Sequence, residues 1–303
     1  MKQPMKKPAV AAMLTLMTLL LCRPAIPAER KLLLRLSLGK TEYLSGEPVF
    51  ATLSLINTRA TPVNIRRLYM PFGYLRLVLK DSKGATLPLL FESSTVRDSA
   101  RSVRVEPEDS SSVVIDLLPL YGKGERKLRK LHTKTFLSPG SYTVRATFQT
   151  GLGRAESRTV SFSVGKPQGS EATVHELLGR AATLELDQQQ VAAAASLDSI
   201  IKNYPMSAYH VAAFLQKIYL YELDEKPEGQ KVACGTVLAL IDAHPESEAT
   251  IPALSYYMIH SDIIGQTPAD IRETLKTILQ EHPDTRIAKQ AYKVLKLYHA
   301  DER

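Results

Sequence analysis

From Arg30 to Val164, apolar and polar positions alternate in short runs, the period of a strand with one buried face. Lys31 to Leu38, Pro48 to Ile56, Val63 to Leu68, Tyr74 to Leu79, Ser112 to Leu117, Tyr142 to Gln149 and Ser157 to Val164 read as strands. Weaker segments lie at Ala85 to Phe91 and Ser102 to Val105. Asn57-Thr-Arg-Ala-Thr-Pro62, Asp81-Ser-Lys-Gly84 and Pro139-Gly140 punctuate them as turns. Many short strands with no helical period between them predict a β-sandwich over residues 29–165.

The period changes after Gly165-Lys-Pro-Gln-Gly-Ser170, which has the composition of a linker (residues 166–171). Val174, Leu177, Leu178 and Ala181 then trace one face of a leading helix. Behind it comes a threefold echo: Asn203-Tyr-Pro-Met-Ser207, Ala243-His-Pro-Glu-Ser247 and Glu281-His-Pro-Asp-Thr285. Aligned on Pro205, Pro245 and Pro283, the chain matches well beyond the turns. Apolar residues stand eight, five and four positions before each proline: Leu197, Ile200 and Ile201; Val237, Leu240 and Ile241; Leu275, Ile278 and Leu279. Ala213, Ala253 and Ala291 follow eight positions after, each beside a bulky neighbour: Phe214, Leu254 or Tyr292. Proline disfavours helix at the residue before it, so a first helix must stop at Tyr204, His244 or His282. Ser207, Ser247 and Thr285 are placed to cap a second helix. The alanines let that helix approach the first closely, and hairpins with one apolar stripe per helix must stack to bury it. Thr267-Pro-Ala-Asp270 carries the signature of a capped helix start.

These turns with their downstream alanines resemble the tetratricopeptide-repeat family, in particular the envelope-located repeats of outer-membrane-assembly lipoproteins. The resemblance covers about residues 172 to 300; the period exceeds the family's usual ~34 residues, and the Trp-x-x-Leu-Gly opening is missing. It implies a protein-binding scaffold and no catalysis. Upstream, Gly46-Glu-Pro-Val with alternating Phe50, Thr52, Ser54 and Ile56 resembles the early strands of bacterial immunoglobulin-like domains. Ser138-Pro-Gly-Ser-Tyr142 with Val144, Ala146 and Phe148 resembles their late strands, Tyr142 standing where a tyrosine corner bonds back to the chain. The expected architecture is thus multi-domain, all-β then all-α: an immunoglobulin-like sandwich followed by an α-helical hairpin solenoid.

Residues 1–28 read as a secretory signal peptide, with Lys2, Lys6 and Lys7 before an apolar core from Ala9 to Leu21 and Pro24-Ala-Ile-Pro-Ala28 at its end. Cys22 would permit lipidation, but Leu21 stands where such signals need a small residue. Losing Lys2, Lys6, Lys7 and Arg23 with no acid takes the formal charge from +8 to +4. So mild an excess does not argue for nucleic acid. Cys234 is then the one remaining cysteine, set in an apolar helix as a small buried hydrophobe. No Asn-x-Ser/Thr sequon is present. A periplasmic or extracellular place in a bacterial cell envelope follows as the expectation, with no transmembrane span in the mature chain.

Gly122 to Lys134 sets Lys123, Arg126, Lys127, Arg129, Lys130 and Lys134 against the single acid Glu125. The loop is a candidate contact for anionic polysaccharide or lipid, or else a solvated connection; Leu128 and Leu131 favour the latter. Motifs for zinc proteolysis, paired-cysteine metal binding, nucleophile elbows and phosphate loops are missing, so neither cofactor nor metal is expected and the chain reads as a non-enzyme. His244 and His282 share the slot that Tyr204 fills, a place for a flat ring, while His210, His260 and His299 stand isolated on helices. Tyr221 and Tyr256 fall off the stripe set by the alanines and are the candidate partner-binding residues. The expectation is a non-catalytic adaptor binding an unidentified protein through its helices. The alternatives are an envelope-anchoring module working through the basic loop and a proteinase-inhibitor-type sandwich.

Overall fold

The computed structural model describes residues 32–66, 68, 74–89, 102–121, 136–222 and 226–300. The leader with Cys22, the basic loop from Lys123 to Lys134 and the end of the weak segment at Phe91 lie outside the described residues.

Ten strands precede the main helices among the described residues: β1 (Leu32–Leu38), β2 (Glu42–Leu44), β3 (Phe50–Asn57), β4 (Val63–Arg66), β5 (Leu75–Asp81), β6 (Ser102–Val105), β7 (Ser110–Asp116), β8 (Gly140–Thr150), β9 (Gly153–Glu156) and β10 (Val160–Gly165). One antiparallel sheet has the order β1-β3-β7; a second runs β2-β10-β8-β5 with β9 beside β8, and β4 pairs with β6. Alternation explains the two larger sheets. Leu34, Leu53 and Leu55 of one and Leu77, Leu79, Val144 and Phe148 of the other bury their side chains in a single apolar cluster, each worth about 1.5–3 kcal/mol when removed from water.

Two strands depart from the alternation rule. Glu42–Leu44 is too short to show a period, and Gly153–Glu156 opens with Gly153 and Arg154, which mask it. The run from Ser157 to Val164 begins late, at Val160, because Ser157 interrupts it. Its Oγ accepts from the Ala146 amide at 2.9 Å and donates to the Arg158 carbonyl at 2.8 Å, while its own amide donates to the Ala146 carbonyl. Among the described residues of the weak segment, Thr86 alone forms a bridge, to Lys80; Pro88 has no amide to extend the ladder. The Tyr142 hydroxyl donates to the Ser138 carbonyl at 2.6 Å, the bond back to the chain expected of that residue.

A short helix, α1 (Leu118–Tyr121), follows β7. Seven more begin at Ser170: α2 (Ser170–Leu186), α3 (Gln190–Asn203), α4 (His210–Glu222), α5 (Pro227–Ala243), α6 (Thr250–His260), α7 (Pro268–Glu281) and α8 (Arg286–Ala300). α3, α5 and α7 end at Asn203, Ala243 and Glu281, so that the residue before each proline is the cap, and the three caps share one backbone conformation. Tyr204, His244 and His282 have φ of −130°, −140° and −125° with ψ of 52°, 56° and 52°. Each cap amide donates to the carbonyl of the apolar residue five places before the proline, Ile200, Leu240 or Ile278. Ser207, Ser247 and Thr285 accept from the amides of Tyr209, Ala249 and Ala288. Leu197, Val237, Leu275, Ala213, Ala253 and Ala291 are buried, as close helix approach requires. Phe214 and Leu254 are buried beside them; Tyr292, in the last hairpin, is half exposed. No helix among the described residues is long and apolar enough to cross a membrane.

Candidate functional site

The two regions meet along a seam built by one turn. In Ser45-Gly46-Glu47 the Glu47 amide donates to the Leu44 carbonyl while its carboxylate accepts from the Leu44 amide, and Lys40 pairs with the same carboxylate. Gly46 holds φ +88°, where a side chain is strained, and an added Cβ would lie 3.2 Å from the His175 ring on α2. Beside it the buried Tyr209 donates its hydroxyl to the Ser45 carbonyl at 2.7 Å. Phe50 of β3 is buried in the apolar cluster of α4 to α8, with Val114 of β7 packed against it. A Cβ on Gly39 would meet the Glu248 carboxylate at 2.6 Å, so the β1–β2 turn touches the second prolyl turn as well. The prolyl turns are also tied to neighbouring elements. Glu171 accepts from Ser207 Oγ, the Ile287 amide donates to the Pro245 carbonyl, and Arg286 pairs with Glu248.

Within this seam lies a cleft of about 380 Å³. α2 contributes His175, Leu178, Gly179 and Thr183, residues one helical turn apart, and α4 contributes Leu215, Gln216 and Tyr219 on the same spacing. Asp116, at the end of β7, supplies the carboxyl. Its Oδ1 accepts from the amides of Val49 at 3.3 Å and Leu118 at 3.0 Å, yet the surrounding protein pushes the group up to about 7, because burial outweighs those two bonds. Burial followed by the charges of Asp116 and Glu222 raises Tyr219, and burial lowers His175. Gln216 Nε2 is buried and has no hydrogen-bond partner among the described residues. Along the chain this place shows only faintly, as an acid embedded in Val113-Val-Ile-Asp-Leu-Leu118.

The candidate partner-binding tyrosines are separate from the cleft. Tyr221 is half buried against the α2–α4 cluster. Tyr256 is half buried, donates to Gln230 Oε1 at 2.8 Å and stacks on His260 with ring centres 4.2 Å apart. More exposed apolar side chains on the helical region are Met206, Val191 and Ile259, at 94, 83 and 68%. Sequence periodicity passes over them because each interrupts rather than extends a stripe.

The histidines sort differently from their spacing. His210, isolated in sequence, is buried with Nδ1 2.7 Å from His244 Nε2 and Nε2 2.9 Å from the Ile201 carbonyl. Burial, then His210, lowers His244. His282 instead lies 3.2 Å from Asp242 Oδ1. Asp242, Glu281 and His282 place one ligand atom each within 4.8 Å of one another, the described grouping best able to meet a metal ion, although both acids are exposed. Cys234 is buried, and burial pushes its thiol up to about 11, an unreactive setting.

No protein-family model and no curated protein matches the chain. Among solved structures, the sporulation control protein Spo0M from Bacillus subtilis aligns at 15% identity with a TM-score of 0.25, over 49% of this chain and 55% of that one. The native conformation of E. coli alpha-2-macroglobulin aligns at 12% identity and TM-score 0.25, over 88% of this chain and 22% of that one. The chain therefore spans about half and about a fifth of the lengths of these two. Scores this low carry no common arrangement to the chain.

Proposed function

We propose that the chain is an exported, non-catalytic protein-binding scaffold of the bacterial cell envelope, an immunoglobulin-like sandwich joined to a tetratricopeptide-like array that holds a partner segment. The observation that carries this reading is the threefold recurrence of one turn geometry at Tyr204, His244 and His282, with a buried alanine at the same place behind each proline. Stacked hairpins of this kind present a continuous concave surface, and such surfaces serve extended binding. The shared core of the two larger sheets and the Tyr142–Ser138 bond support the sandwich half. The seam gives the sandwich its part, which is to fix the position of the first two hairpins.

Affinity capture from envelope extract tests the reading, with the wild-type chain and a Lys127→Glu/Lys130→Glu variant as baits at low and high salt. A protein recovered equally by both baits, and retained at high salt, is the expected outcome. Recovery of anionic polymer or lipid alone, lost at high salt and in the charge-reversed variant, would replace it with envelope anchoring through the basic loop.

A further inference from the structure

In the cleft at the seam, Leu118, Leu178 and Leu215 surround a carboxyl group and the Gln216 side-chain nitrogen, which has no hydrogen-bond partner among the described residues. No Lys or Arg lines the cleft among the described residues, Asp116 and Glu222 both act on Tyr219, and His175 is held toward its neutral form. Asp116 directs both described bonds to Oδ1, so no described residue bonds Oδ2. A volume of about 380 Å³ suits a molecule of one ring or a short chain.

We infer that this cleft binds a small organic ammonium compound, its charged nitrogen paired with Asp116, its apolar body against Leu178 and Leu215, and an oxygen acceptor meeting Gln216 Nε2. Neither Tyr221 nor Tyr256 lines the cleft, so ammonium binding there is independent of the proposed partner binding. A cation would restore Asp116 to its charged form, and the acceptor would satisfy the amide.

Titration calorimetry on the full chain at about pH 8, where such amines stay protonated, tests this with tyramine, phenethylamine and tyrosol as probes. Tyramine has both the ammonium and the oxygen, phenethylamine lacks the oxygen, and tyrosol replaces the ammonium with a hydroxyl. Saturable tyramine binding at about millimolar or tighter is expected, at least about tenfold tighter than tyrosol. Asp116→Asn keeps an acceptor for the Val49 and Leu118 amides and should bring tyramine down to the tyrosol level. Gln216→Leu should weaken tyramine but leave phenethylamine unchanged. Gly179→Leu serves as the independent control. Its Cβ would meet nothing within 4 Å and leucine favours helix over glycine, so it should fold normally while narrowing the cleft and weakening tyramine and phenethylamine alike. Absence of saturable binding by all three probes, equal affinity for tyramine and tyrosol, or a tyramine affinity unchanged in both Asp116→Asn and Gly179→Leu would overturn the assignment.

Discussion

Single residues decide how the β-rich region holds its turns and its charge. Asn57 is fully buried and spends its amide on the Thr61 and Val105 carbonyls, at 2.9 and 3.0 Å, while its oxygen accepts from the Arg59 amide at 3.0 Å. Asn57→Ala strands those groups and should cost about 2–4 kcal/mol, read from the urea midpoint. Asp116 has the opposite sign. Its native group titrates near 7 against an ordinary 3.8, so the folded state binds the extra proton between those values. Its stabilising contribution is complete below about pH 4 and is lost as pH rises through 7. Asp116→Asn should therefore flatten the fall in stability from pH 5 to pH 8 and raise stability at pH 8 by about 2 kcal/mol, discounted for solvent reaching the cleft. A fall of unchanged slope in the variant would mean that another group titrates.

Elements were legible where sequence chemistry acts locally. Proline disfavours helix at Tyr204, His244 and His282 by a local clash, and all three helices stop there. The Thr267 capping box forms for the same reason, its hydroxyl accepting from the Asp270 amide at 3.2 Å and Asp270 accepting in return from the Thr267 amide at 2.8 Å. β2 and β9 were illegible, because their pairing depends on neighbours rather than on their own short, polar sequences. The His210–His244 contact was hidden too, since residues 34 apart meet only once two hairpins stack. The alanine positions give the sharpest prediction at this scale. Ala253→Leu forces four heavy side-chain atoms in place of one methyl into the contact of α5 with α6, and should destabilise by about 1–3 kcal/mol. Thermal denaturation checks it, against Ser255→Ala on the exposed side of the same helix as a control with little effect.

At the scale of the whole molecule, the composition of Gly165 to Ser170 predicts two regions tied by a linker, yet the contacts beyond it couple them. Phe50 belongs to a strand by sequence and to the helical core by position. Linker composition is visible in a sequence; a phenylalanine that crosses a seam is not. Phe50→Ala should cost about 3–5 kcal/mol and loosen α4 to α6 together with β3, seen as faster amide exchange in both. Exchange confined to β3 would show that the regions unfold separately.

The central claim, that the helical region is the surface that holds a partner, is tested most directly by mapping the contacts of a captured complex. Chemical crosslinking of the full chain to its salt-resistant partner, read by mass spectrometry, should place the crosslinks on α2 to α8, at lysines such as Lys202, Lys231 and Lys293. Crosslinks concentrated on β-region lysines such as Lys80 and Lys83, with none on the helices, would contradict the account.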